Sequence, residues 1–179
     1  MAKNKSLDAI ELLKADHKKV EKMFKDFEKL EDEEEKTTLV EKCCNELKIH
    51  TTIEEEIFYP AARGALKEGD LLNEAEVEHA TAKHLIEQLE GYDGSDEMAD
   101  AKFTVLSEYI RHHVKEEQNE MFPQLKKAKG FDAEQVGEQL MQRKQELMAE
   151  MGMSPEEGEA ERSRKSSSRE APRMAAKRR

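Results

Sequence analysis

Two stretches of the sequence, HTTIEEEIFYP at residues 50–60 and HVKEEQNEMFP at 113–123, share one pattern: a histidine, a glutamate four residues on, then five residues and a proline, with an aromatic just before it. On a helix, residues four apart share a face, so His50 with Glu54 and His113 with Glu117 can each present an imidazole and a carboxylate to one point. Such a set without thiolate suits iron or manganese in five- or six-coordination, whereas a structural zinc usually needs only four ligands. His17 and His79 extend the candidate set to six. Two cations fit six ligands better than one. If Glu54 and Glu117 each bridge, each metal gains two imidazole nitrogens and two carboxylate oxygens, and keeps an open position for a small ligand.

The elements that must hold these residues are helices. The chain is 36% hydrophobic and 40% charged, with few aromatics and no alternating Val/Ile/Thr run, which suits amphipathic helices and argues against a sheet. Four helical segments are separated by EDEEEK at 31–36, GALKEGD at 64–70 and GYDGSD at 91–96. Short connections make neighbours antiparallel. Ser6 can cap the first helix and Ser95 or Asp96 the fourth, while Gly64 and Gly91 suit the ends of the second and third. The spacing predicts an inward seam on each helix. These seams are Ile10, Leu13, His17, Val20, Phe24 and Phe27; Val40, Cys43, Leu47, His50, Glu54, Ile57 and Ala61; Leu72, Ala75, His79, Ala82, Ile86 and Leu89; and Ala99, Phe103, Leu106, Ile110, His113 and Glu117. All are apolar except at His or Glu positions, whose unpaired burial would be costly. Counted from the turns at one end, the six polar positions spread over on the order of 15 Å, which loop geometry can absorb.

The fold class is therefore all-α: an up-down-up-down antiparallel four-helix bundle over residues 1–130, an additional amphipathic helix within 131–153, and a disordered tail over 154–179. Asp132 and Gln135 form a capping-box variant at the start of that fifth helix, and Met141, Met148 and Met151 read as a packing face. The tail carries eight Lys/Arg against five Glu, on a chain of net charge −11. The acidic balance argues against a general nucleic-acid or anionic-membrane binder, apart from weak contacts by the basic tail. The N-terminal stretch lacks the apolar core of a secretory signal and nothing is long enough to span a bilayer, so the expected location is cytoplasmic. Adjacent Cys43 and Cys44 point apart on a helix and read as packing residues rather than a disulfide.

The order H, HxxxE, H, HxxxE, with VEHATAK around His79 and EEEIFYP after His50, resembles the hemerythrin-like, or HHE cation-binding, family over roughly residues 5–127. The resemblance implies an up-down bundle and two iron ions joined by an oxo or hydroxo bridge, with manganese the lesser alternative. It also implies a small-molecule partner: oxygen, peroxide or nitric oxide. Oxygen-carrying hemerythrins place a further histidine four residues after the third-helix one, where this chain has Lys83. The missing imidazole favours redox chemistry, such as peroxide disproportionation in a stress response, or sensing or iron handling, over reversible oxygen storage. His84 lies off the seam and would join only through a local helix distortion. His112 reads as a surface or supporting residue, and Tyr59 and Tyr109 read as rim packing ahead of supplying a hydroxyl or gating access. The alternative function is a sensing module whose fifth helix or tail relays metal state to a protein partner.

Overall fold

The structure, a computed structural model, describes residues 8–67 and 69–153. These residues form helices and no strand. Five rods follow one another: α1 (Ala9–Phe27); α2 (Glu33–Ile53), which passes through a π turn (Glu54–Phe58) into α3 (Tyr59–Ala65); α4 (Asp70–Gln88); α5 (Glu97–Glu116), which passes through a second π turn (Glu117–Met121) into α6 (Phe122–Lys127); and α7 (Ala133–Glu150). Packing pairs α1 with α2 and α5, and α4 with α2 and α5, which closes an up-down-up-down four-helix bundle. The chain divides into two compact units, Met1–Lys144 and Gln145–Arg179, and the site lies in the first. The tail expected at 154–179 lies outside the described residues, as does Ser6.

Helix starts follow their capping chemistry. Asp8, Asp32 and Asp96 each accept a backbone N–H from the first turn of α1, α2 and α5, and Asp132 accepts that of Gln135 at 3.0 Å. Gly91, at φ +74°, ends the third rod as its conformational freedom predicts. Gly64 differs from expectation: it sits inside α3, which ends where Leu66 turns extended.

Below the histidine level the core holds Phe24, Phe27 and Phe103, with ring centroids 5.6 and 4.6 Å apart, over buried Leu47, Ile86 and Leu106. Each such side chain contributes about 1.5–3 kcal/mol on burial. A second aromatic layer closes the opposite side, where Phe58 meets Phe122 and Phe131 edge-on, each at 5.8 Å.

The two π turns have one cause. Pro60 and Pro123 have no N–H to donate, and their rings would collide with the carbonyl four residues back in a straight α-helix. Each rod widens by a residue just before its proline, and Tyr59 and Phe122 donate their N–H to Glu54 and Glu117 five residues earlier. This advances the seam by one position. Ile57 and Ala61, expected inward, are only half-buried, and Phe58 and Ala62 take their place at 0% exposure.

Candidate metal centre

All six candidate residues, His17, His50, Glu54, His79, His113 and Glu117, are buried and meet between the two apolar layers. Their ligand atoms form two groups, His17 with His50, Glu54 and Glu117, and Glu54 with His79 and His113, each spanning no more than 4.8 Å. Glu54 belongs to both. Its Oε1 lies 3.2 Å from Nε2 of His50 and its Oε2 lies 3.2 Å from Nε2 of His79. Glu117 Oε2 stands 3.2 Å from Nε2 of His17 and 3.6 Å from Nε2 of His113. The imidazoles face each other in pairs through Nε2, His17 with His50 at 3.1 Å and His79 with His113 at 3.2 Å.

Each outward nitrogen faces a polar side chain, in a ring that runs round the bundle; three are hydrogen-bonded and the fourth faces a carboxylate without a bond. Asp16 on α1 brings Oδ2 within 3.6 Å of Nδ1 of His50 on α2, an ion-pair distance. Glu55, beside Glu54, is 3.1 Å from Nδ1 of His79 on α4. Glu78 on α4 is 2.8 Å from Nδ1 of His113 on α5. The amide nitrogen of Gln118, beside Glu117, donates to Nδ1 of His17 on α1 at 3.0 Å. Each orienting residue is the sequence neighbour of a candidate ligand on its own rod and serves the next rod. A carboxylate at Nδ1 keeps the proton there and leaves the Nε2 lone pair free to point inward.

This arrangement fits a bound cation. Both oxygens of Glu54, Oε2 of Glu117 and Nδ1 of His50 are buried without a hydrogen-bond partner, although imidazole nitrogens stand close to the carboxylate oxygens. Unpaired buried carboxylate oxygens are costly, and a cation between them and the Nε2 atoms would satisfy them together. The electrostatics point the same way. Burial opposes a charge on His50, but Glu54 and Asp16 outweigh it and push the imidazole up to about 10. His79, also opposed by burial, is pushed up to about 9 by Glu54, Glu55 and Glu117. Burial works against ionised Glu54, yet His50 and His79 hold it well below the usual carboxylate range. The pocket is built to favour positive charge at its centre.

Of the two roles expected for Tyr59, the structure places the hydroxyl at the site rather than the ring at the rim. Tyr59 is 2% exposed, and its hydroxyl donates to Oε1 of Glu117 at 3.2 Å and stands 3.1 Å from Nε2 of His79. The wider π turn carries it to this position. Phe122, its counterpart after Glu117, stacks on His17 with centroids 6.0 Å apart and planes at 3°. Lys83 reaches away from the centre to Glu55, with Nζ 2.7 and 2.5 Å from its two oxygens. His84 and His112 are exposed, and Tyr109 is on the surface. His112 contacts Glu116 at 3.2 Å and Glu78 at 3.6 Å on the outer face. Cys43 and Cys44 are both buried as free thiols.

A family model described as hemerythrin HHE cation binding domain matches residues 8–125. The crystal structure of a hemerythrin HHE cation binding domain-containing protein from Mycobacterium kansasii is similar at TM-score 0.68 and 25% identity, covering 80% of this chain and 89% of that one. The chain is also 26% identical over 112 residues to a protein from Nostoc sp. named DNA nickase. That match takes in 63% of this chain and 32% of the relative, so the chain spans about a third of the relative's length.

Proposed function

This chain belongs to the hemerythrin HHE cation-binding domain family, and from that premise we propose that it is a non-haem di-iron protein that binds or reacts with oxygen, peroxide or nitric oxide. Cation binding is the family's named property. The choice of iron and of the small ligand is the proposal. The observation that supports it best is the ring of Asp16, Glu55, Glu78 and Gln118, which turns four Nε2 atoms toward two carboxylates with unpaired oxygens.

In this reading His17, His50, His79 and His113 would hold the pair with Glu54 and Glu117, Glu54 belonging to both ligand groups. A bound pair of irons would supply Lewis acidity and one electron from each metal to a small ligand. The chain's own residues orient, shield and tune. Glu55 and Glu78 fix the tautomers of His79 and His113, and Asp16 faces Nδ1 of His50 at 3.6 Å. Phe58 and Phe122 keep bulk water away, and the Tyr59 hydroxyl holds a hydrogen bond on Glu117. With Lys83 turned to Glu55, no fifth imidazole fills the coordination, which favours redox chemistry or sensing over reversible storage.

A second reading, a sensing module, has its own observation. Lys144 of α7 pairs with Asp16, the partner of His50, and Arg143 donates to Glu56 of the first π turn at 2.7 Å. Those contacts join the part of α7 that lies in the first unit to the metal-bearing rods, so metal state and the seating of that part would be coupled. The name of the Nostoc relative does not extend to this chain on a match to a third of it, and the net charge of −11 opposes general binding of nucleic acid. No helix among the described residues is long and apolar enough to cross a membrane.

The test is metal analysis with the visible spectrum of protein purified without chelators, beside the His50→Ala/His113→Ala variant. A pair of irons per chain, a spectrum that responds to oxygen, peroxide or nitric oxide, and loss of both in the variant are the expected result. A single zinc, or no metal with a folded variant, would overturn the di-iron reading. Deletion of residues 154–179 then separates the two functions: loss of partner binding with intact iron chemistry selects the module.

A further inference from the structure

Between α1 and α5 runs a groove of about 560 Å³, within the size range of small-molecule sites. Its floor is apolar, made by buried Val20, Phe24 and Ile110 and half-buried Val114. Its rim is cationic. Lys14, Lys18 and Lys115 stand exposed along it, and Lys18 and Lys115 have no partner among the described residues. Glu21 is the sole carboxylate in the lining, and Arg111 already holds it at 2.9 Å. On a chain of net charge −11 this is a local reversal of sign over an apolar floor. Such a surface complements a molecule with a negative head and an apolar body.

The groove also backs onto the centre. His17, Val20, Ile110 and Val114 line both it and a small void of about 10 Å³ that touches His17, His50, His79 and His113. Val20, Ile110 and Val114 are thus the wall between the two spaces.

We propose that the α1–α5 groove binds a free organic carboxylate of the medium-chain fatty-acid class, its tail on Val20, Ile110 and Val114 and its head group between Lys18 and Lys115. Binding is independent of the metal reading. Only its position, one side-chain layer from the centre, gives it a bearing on that reading.

Isothermal titration of the full chain with octanoate and with 1-octanol tests this, with iron content measured on every sample. Octanoate should bind at a single site. 1-Octanol, with the same tail and no charge, and the Lys18→Glu/Lys115→Glu variant should each show affinity lower by about tenfold. Val114→Trp, which fills the groove, should abolish binding, and Val114→Ile, a smaller addition, should weaken it less. Equal affinity for octanoate and octanol, no effect of Val114→Trp in a folded protein, or binding to phosphatidylglycerol vesicles without binding to free octanoate would each overturn the proposal. Absence of iron with octanoate binding intact would count against the di-iron reading alone.

Discussion

The hydroxyl of Tyr59, at the end of the first π turn, lies 3.2 Å from Oε1 of Glu117, the first residue of the second π turn. This bond crosses the bundle and joins the two copies of the His-x3-Glu pattern. It also makes them unequal, because Phe122 holds the corresponding place in the second copy and offers only a ring face to His17. One half of the centre has a hydroxyl beside it and the other does not.

Replacing Tyr59 with Phe removes that donor without changing the packing of the ring. Oε1 of Glu117 then loses its bond in a buried site, which costs about 1–3 kcal/mol. Chemical denaturation should show that loss while metal content stays close to wild type. Unchanged stability, or a loss of metal equal to that of Glu117→Ala, would show that the hydroxyl does something other than support the carboxylate.

Glu55 positions His79, and Lys83 positions Glu55. Glu55→Ala should weaken metal binding by about 10- to 100-fold, the range for groups that orient a ligating imidazole. Lys83→Ala acts one step further out and should weaken it less. Competition against a chelator of known affinity measures both, and a larger effect for Lys83→Ala would contradict this order.

The seams of α1, α4 and α5 were legible in the sequence because those rods keep a straight α period as far as the last candidate ligand, so every inward position from Ile10 to Phe27 and from Leu72 to Leu89 is buried. The period fails after Glu54. Pro60 was visible, but its consequence, a π turn that exchanges Ile57 for Phe58 and brings Tyr59 inward, depends on how the rod absorbs the proline while staying packed. Asp16, Glu55, Glu78 and Gln118 were hidden for another reason. They act across helices, and among 41 acidic residues nothing in spacing along one helix marks out three. Their common feature, adjacency to a candidate ligand, has meaning only once the order of neighbouring rods is known.

The loop before α5 approaches α2 so closely that a side chain has no room. A Cβ at Gly94 would stand 2.2 Å from the backbone oxygen of Glu33, and the Gly94 N–H donates to Thr37 Oγ1 at 3.1 Å. Gly94→Ala should destabilise the bundle by about 1–3 kcal/mol. Gly64→Ala, inside α3 with nothing within 4 Å of the added carbon, should stabilise it by about 0.5–1 kcal/mol. Thermal melts of the pair check the contrast, and a shift of the same sign in both would refute it.

Cys44 gives a pH dependence free of the metal centre. Burial pushes its thiol up to about 11 from an ordinary 9.0, Lys48 opposing and Glu90 adding to the shift, and burial raises Cys43 well above its usual range. The folded state therefore keeps protons that the unfolded chain releases on the way to high pH. Since stability falls wherever the folded state binds more protons, the contribution of Cys44 is intact below about pH 9 and declines between about pH 9 and 11. Two measurements follow. Iodoacetamide should label both thiols slowly in the native protein at pH 8 and rapidly in denaturant, because the thiolate is the nucleophile. The Cys43→Ala/Cys44→Ser variant should lose less stability than wild type between pH 9 and 11. Rapid native labelling at pH 8 would instead make Cys44 a reactive thiol rather than a packing residue.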